Sequence, residues 1–339
     1  MTVTRMRVRT GTFLPDFSGV DLMTRRTEVA ELEAAGLDHL AVGDHISFHG
    51  GNGFDGLLQA AHLLALSDTL PVHVGVYLLA LRHPVAVARQ LADLEVLAPG
   101  RLVLGVGVGG EDPHEYESCG IEPRTRGART DEALGLLRCL LSGQPVDADG
   151  PYYPVRQARV LPAVPRLPVV VGGRSPAAVR RAALHADGWL GIWVSPQRYA
   201  AVTTEIEELA SRAGRPVDPW QHGLQVWCGF GPDESAARAP LATSMQELYR
   251  TPFSAFARYC PAGTPEAVAA FLAPYVDAGC TSFNLIPRAA TRGECLWGVA
   301  EVRRLLAGSG HARAASGPTA ASAAVLEPAG EIRPRRRTT

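Results

Sequence analysis

Apolar positions along the chain fall into two alternating patterns. Short, nearly unbroken aliphatic and β-branched runs at residues 8–14, 37–42, 72–79, 101–108, 169–172, 187–193, 224–230 and 281–286 predict strands, and the almost wholly apolar 101–108 run fits a parallel strand buried on both faces. Between them, apolar residues recur at helical spacing. Examples are Val29 and Leu32; Val87, Leu91, Leu94 and Ala98; Leu134, Leu137 and Leu141; and Val268, Phe271, Leu272 and Val276. Helix starts are read at Thr24, near Asp55, at Pro84, Ser175-Pro176, Ser195-Pro196 and Thr264-Pro265-Glu266, and stops at Gly36 and Pro99-Gly100.

Eight strand–helix alternations predict one α/β domain, a (β/α)8 TIM barrel with insertions, over residues 1–307. The insertions are a polar segment at 111–125, a proline- and aromatic-punctuated excursion at 150–165 read as a short hairpin or irregular loop, and a helix at about 233–249 followed by a loop at 251–263. From Gly308 the chain turns to Ala, Ser, Gly, Pro and Arg without apolar period, and a disordered tail is expected over 308–339. Its arginines, Arg333 and Arg335 to Arg337, read as solvated.

In a barrel the site lies at the C-terminal strand ends. That singles out Asp44 and His45, Tyr77 and Leu78, Gly107 to Gly110, Gly172 to Ser175, Trp193, Trp227 and Pro287-Arg288. The turn from Gly172 to Ser175 suits an anion: glycines admit close backbone approach, the helix opened by Ser175-Pro176 presents unpaired N–H groups, and Arg174 adds charge. The same Gly-Gly turn also serves any parallel α/β fold without a ligand. His45, an imidazole able to give and take a proton, is the candidate proton donor, and Asp44 beside it, grouped with it as catalytic, the residue that orients the loop. Phe48, Trp193, Trp227 and Tyr77 are candidate apolar walls, and Glu111, Asp112, His114 and Glu115 form a polar run beyond the fourth strand that can meet substrate.

Charge and cysteines narrow the partners. The formal net charge of −1, with signs mixed along most of the 339 residues, gives no electrostatic case for nucleic acid or an anionic membrane and favours a small-molecule substrate. The six cysteines are widely spaced with no Cys-x-x-Cys pair, so neither a metal site nor a disulfide framework is expected. No apolar run approaches eighteen residues, and a cytoplasmic protein is expected.

Several blocks in order and spacing resemble the bacterial luciferase-like family of flavin- and deazaflavin-dependent oxidoreductases. They are Gly43-Asp44-His45; Arg82-His83-Pro84-Val85; Leu94 to Leu102 running into Gly105-Val106-Gly107-Val108-Gly109; Glu115-Tyr116; Arg126 with Arg129 to Glu132; Val171-Gly172-Gly173 with Ser175; and Asp187-Gly188-Trp189. They span roughly residues 6–307.

The resemblance implies a flavin-type ring held across the strand ends by Tyr77, Leu78, Gly107, Val108 and Gly109. Its phosphate would sit at Gly172, Gly173, Arg174 and Ser175, with Arg126 and Arg129 nearby. His45 occupies the family's histidine position. A non-proline cis peptide is implied behind the ring, at Tyr77-Leu78. Where some relatives place a threonine near the ring this chain has Val108, with the following acid displaced to Glu111, which loosens any sugar-phosphate specificity. The favoured reading is hydride transfer with the deazaflavin coenzyme F420, to or from a small organic substrate. Arg124, Arg126, Arg129, Arg174, Arg180 and Arg181 suit its longer anionic tail. FMN with oxygen is the alternative, a monooxygenase supplied by a partner flavin reductase, and a non-catalytic flavin-binding barrel is a second alternative. A homodimer is implied.

Overall fold

The computed structural model describes residues 7–14, 20–215, 217 and 219–308. The tail expected from Gly308 onward lies outside the described residues apart from Gly308 itself. In chain order the elements are β1 Arg9–Phe13, α1 Leu22–Ala34, β2 His39–Val42, α2 Gly56–Leu64, β3 Val72–Tyr77, α3 Pro84–Leu97, β4 Leu102–Val106, α4 Pro113–Ser118, α5 Arg126–Leu141, β5 Val146–Ala148, β6 Val155–Ala158, β7 Val169–Gly172, α6 Pro176–His185, β8 Gly188–Ile192, α7 Pro196–Arg212, β9 Gly223–Phe230, α8 Glu234–Tyr249, β10 Ala262–Gly263, α9 Pro265–Asp277, β11 Ser282–Arg288 and α10 Arg292–Gly308. Eight of these strands pair in parallel, in the order β1-β2-β3-β4-β7-β8-β9-β11, and β11 returns to β1. The sheet is therefore a closed, luciferase-like (β/α)8 barrel.

The reason is visible in each unit. A strand buried on both faces cannot stop at a solvated edge, and the helix after it must cover the sheet with an apolar stripe. In α5 that stripe includes Leu134, Leu137 and Leu141, all buried. Side-chain caps set most helix starts: Asp55 accepts from the N–H groups of Leu57 and Leu58, Ser175 from that of Ala178 and Ser195 from that of Arg198. The first helix differs from expectation. Asp21 is its cap, and Thr24 is the residue whose N–H donates to that carboxylate. The stronger acceptor three residues upstream wins, because a carboxylate at this position also complements the helix dipole.

Three insertions interrupt the alternation, two after strands β4 and β9 and one between α5 and β7. The 150–165 excursion is an antiparallel hairpin, β5 with β6, whose first strand begins earlier, at Val146. The segment after β4 folds into α4, and the one after β9 into α8 and the short strand β10 beside β9. The barrel interior is unusually polar. His39 and Asn284 share a 2.6 Å hydrogen bond, and His39 stacks on His73 with ring centroids 3.8 Å apart. Gly11 makes room for this pair, since a Cβ there would lie 2.2 Å from the His39 ring.

Candidate active site

The strand ends open into a cavity of about 220 Å³. Gly75, Val76, Gly107, Gly172, Leu190 and Gln225 form its base; His45, Phe48, Leu78, Val108, Gly109 and Glu111 line the β2–β4 side, and Gly173, Ile192, Trp193, Leu248 and Tyr249 the opposite side. This is somewhat below the roughly 300 Å³ at which drug-sized pockets begin, a size that suits a single flat ring system.

The base is shaped by glycine. A Cβ on Gly107 would stand 2.3 Å from Val76 Cγ2, and one on Gly172 would stand 2.8 Å from Val76 Cγ1. Two strand ends are thus flattened so that the Val76 side chain fits between them. Below it, Gln225 Oε1 is buried with no hydrogen-bond partner among the described residues. Buried acceptors are seldom left unpaired, so this atom suits the polar edge of a bound ring.

Strand β3 does not run straight into this base. Its pairing with β4 shifts register between Val74 and Tyr77, and the peptide Gly75–Val76 is cis. The cis bond expected at Tyr77-Leu78 therefore lies two residues earlier. Because of the irregularity it is Gly75 and Val76 that reach the cavity, whereas Tyr77 is buried behind it with the Arg82 guanidinium 4.3 Å from its ring centre. Tyr77 is not a wall; Leu78 is.

His45 stands at the mouth, at the end of β2. Its Nδ1 is 3.1 Å from Glu115 Oε2, its ring stacks on Phe48 at 4.0 Å, and Glu115 Oε1 also accepts the Ile46 N–H at 2.6 Å. Glu115, on α4, is only 2% exposed. Burial pulls its carboxyl pKa up, but the hydrogen bonds from His45 and the Ile46 N–H outweigh it and hold it below the ordinary value. The pair joins an ionised, fixed carboxylate to a ring whose Nε2 is left for other partners.

Asp44, expected to share the chemistry, is fully occupied elsewhere. Its carboxylate accepts from the N–H groups of Gly56 and Leu78, both at 2.8 Å, and from Arg82 at 2.5 and 2.7 Å. Arg82 also reaches Asp55 at 2.8 Å. Asp44 is a buried clamp that ties the end of β2 to the end of β3 and the start of α2. It positions the His45 loop and has no acceptor left for substrate.

The expected phosphate group of residues is partly assembled. Gly172 and Gly173 line the cavity, and Ser175 and Arg174 lie exposed just beyond them, at the start of α6. The Ser175 oxygen accepts the Ala178 N–H at 3.2 Å, and the Arg174 guanidinium lies 5.3 Å from the Trp193 ring centre. Arg126 flanks the mouth: a Cβ on Gly110 would meet its guanidinium at 3.2 Å, one of its Nη atoms donates to the Pro123 carbonyl, and its Nε is buried without a partner among the described residues. Arg129 is not at the cavity. It donates to Thr125 and stacks on Tyr152 at 4.6 Å. Arg181 is buried against Asp131 at 2.6 Å, and Arg124 pairs with Glu122. Trp227 is also displaced from the cavity: it is buried behind Tyr249, to whose hydroxyl its Nε1 donates at 3.1 Å.

Sequence reasoning named Glu115 only within a polar run and a motif, without its partner. Two residues carried weak signals: Gln225, a polar residue inside an apolar strand, and Gly75, a glycine inside β3. Leu248 and Tyr249 carried none, because α8 belongs to an insertion whose path over the barrel no local pattern specifies. Among the described residues no helix is long and apolar enough to cross a membrane, and no three His, Cys, Asp or Glu side chains gather as a metal site.

A parallel eight-strand barrel with a glycine-based cavity at its C-terminal strand ends is a TIM barrel with its site at the face where such barrels place it. The chain belongs to the luciferase-like monooxygenase family, whose model matches residues 8–282. It is 33% identical over 156 residues to an uncharacterized protein of Mycobacterium tuberculosis, the match spanning 46% of this chain and 54% of that one, about half the length of that relative. It is 28% identical over 280 residues to an F420-dependent glucose-6-phosphate dehydrogenase of Nocardia farcinica, spanning 73% and 82% of the two chains. An F420-dependent secondary alcohol dehydrogenase, solved in complex with an F420-acetone adduct, shares the fold at a TM-score of 0.73 and 20% identity, over 88% of this chain and 98% of that one.

Proposed function

We propose that this chain is an F420-dependent oxidoreductase acting on a small organic substrate, with the deazaflavin ring on the Val76 base and its phosphate at the turn of Gly172, Gly173, Arg174 and Ser175. The observation that carries this reading is the carboxylate-held His45 at the rim of a glycine-based cavity. Relatives named as F420-dependent enzymes, at up to 82% coverage of their length, support the deazaflavin over FMN. When bound, the deazaflavin exchanges hydride with a substrate.

The chain's own residues orient and handle the proton. Gly107 and Gly172 hold their strand ends open around Val76, and Gln225 Oε1 offers an acceptor to the ring edge. Arg174, the open end of α6 and Arg126 at the rim supply positive potential for the anionic tail. Glu115 takes the Nδ1 side of His45 and so leaves Nε2 as the nitrogen that gives a proton to substrate oxygen or removes one from it. Asp44 keeps this loop in place through Leu78 and Arg82.

We infer further that the protein is a cytoplasmic homodimer. Six free cysteines agree with a reducing compartment, and the exposed apolar side chains Leu22, Met23 and Leu58 on α1 and α2 offer a surface for a second copy. Titration of the purified protein with F420 and, separately, with FMN tests the central reading. Saturable binding of F420, tighter than that of FMN, is expected; preference for FMN would shift the chemistry to an oxygen-dependent monooxygenase fed by a flavin reductase.

A further inference from the structure

Resting on the proposed function, the geometry points to a substrate with a flat, uncharged apolar body that carries neither phosphate nor carboxylate. The wall opposite His45 is built of Trp193, Leu248 and Tyr249. Trp193 packs on Phe256 at 4.6 Å and on Tyr249 at 5.0 Å, and the Tyr249 hydroxyl is tied back by Trp227 Nε1. This part of the cavity is therefore mostly rings and a leucine; its polar groups are neutral, the Trp193 Nε1–H, buried without a partner among the described residues, and the Tyr249 hydroxyl, so it suits an apolar body with a neutral acceptor such as a carbonyl. Trp193 is also held at a φ of 50°, in the left-handed region that glycine adopts freely and a large side chain rarely does. An aromatic kept at such a backbone position at a strand end is a sign of a wall fixed for a purpose.

The charges agree. The chain contains no lysine, so its permanent side-chain cations are all arginines. Among the described residues no arginine lines the cavity. Arg82 is spent on Asp44 and Asp55, and Arg174 lies by the turn assigned to the cofactor's phosphate. Glu111, which lines the mouth, makes no ion pair among the described residues, and Glu115 stands ionised behind His45. Arg126, at the rim beside Gly110, and Arg174 are the cations near the mouth, and both are assigned to the cofactor's anionic tail; with that tail bound, a phosphorylated sugar meets the carboxylates of Glu111 and Glu115 and no arginine lining the cavity, which is repulsion acting as a selectivity element. A neutral ring gains the aromatic wall and lacks that penalty.

The experiment is isothermal titration of the full chain, with and without saturating F420, using acetophenone as the neutral aromatic probe and glucose 6-phosphate as the anionic one. Acetophenone is expected to bind about tenfold or more tighter than glucose 6-phosphate. Trp193→Ala is expected to weaken acetophenone by about tenfold and leave glucose 6-phosphate unchanged. Glu111→Arg, a change on the exposed rim, tests the charge without touching the core, and tightens glucose 6-phosphate by about tenfold. Equal or tighter binding of glucose 6-phosphate by the wild-type protein overturns the inference, as does failure of acetophenone to bind at millimolar concentration in either state. Absence of F420 binding overturns the proposed function instead, and the comparison on the cofactor-free chain still decides the substrate class.

Discussion

Glu115 Oε2 stands 3.1 Å from His45 Nδ1, and the other oxygen of the same carboxylate accepts the Ile46 N–H. A buried acid on the short helix after β4 thus fixes both the ring and the backbone of the residue at the end of β2. The tautomer follows from the charge: an ionised carboxylate accepts only, so Nδ1 carries a proton and Nε2 is the variable site.

This pairing predicts different effects for the two residues. Replacing His45 by Ala removes the proton-handling group, and turnover with F420 is expected to fall by about 100-fold or more while cofactor affinity is retained. Glu115→Gln keeps an acceptor for Ile46 but lets the imidazole choose its tautomer, and a loss of about tenfold is expected, mostly in kcat. Steady-state kinetics of both variants check this. Full turnover by His45→Ala would remove the histidine from the chemistry.

The base of the cavity makes a second prediction. Gly107→Ala places a methyl 2.3 Å from Val76 Cγ2, so Val76 must move into the cavity, where the ring is proposed to lie. Overpacking of this kind costs about 1–3 kcal/mol, and the Kd for F420 is expected to rise by about tenfold or more. The double variant Gly107→Ala with Val76→Ala should recover most of the lost affinity, since the clash is then gone. Fluorescence titration of F420 reads both, and no rescue would mean that Gly107 acts through something other than Val76.

The barrel itself was legible because eight buried runs alternate with helical stripes, and that periodicity depends only on local sequence. His45, Leu78, Gly107, Gly109, Gly173 and Trp193 follow from it, since strand ends are where a barrel collects its site residues. Three features escaped for separable reasons. The register shift in β3 moved the cis peptide to Gly75–Val76 and turned Tyr77 away from the cavity, and no composition signal marks such a shift. Asp44 lies next to a candidate catalytic residue in sequence, yet its partners Arg82 and Gly56 decide its role and are distant along the chain. Charge and nearness in sequence group the arginines with the turn from Gly172 to Ser175, whereas in the fold Arg181 points to Asp131 and Arg129 to Tyr152.

The Asp44 clamp carries a third prediction, about stability rather than chemistry. Asp44→Ala strips two backbone N–H groups of their acceptor and leaves the mostly buried Arg82 with Asp55 as its one remaining ion partner, beside a 3.4 Å hydrogen bond to the Leu78 carbonyl. Breaking a buried pair from one side costs about 3–5 kcal/mol, so thermal unfolding should shift down by on the order of 10 °C. Cofactor binding suffers too, because Leu78 and the His45 loop lose their anchor. A variant with unchanged Tm and normal F420 affinity would show that Asp44 does not tie β2 to β3.

Acid sensitivity is the last consequence, and it comes from the barrel interior rather than the site. Burial lowers the His39 pKa from 6.5 to about 4, against a smaller upward pull from Asn284, and His73, stacked on it, is lowered as well. An unfolded chain protonates both rings near pH 6.5, whereas the folded barrel refuses the proton until far lower pH. The folded state therefore binds fewer protons below neutrality, and stability falls as pH drops from about 6.5 towards 4. For His39 alone the loss is on the order of 3 kcal/mol at the acid end. Denaturant unfolding at a series of pH values should show that slope. His39→Gln, which preserves a polar partner for Asn284, should reduce it, at some cost in stability at neutral pH. A wild-type protein equally stable at pH 7 and pH 4.5 would mean that the paired imidazoles accept a proton without opening the barrel.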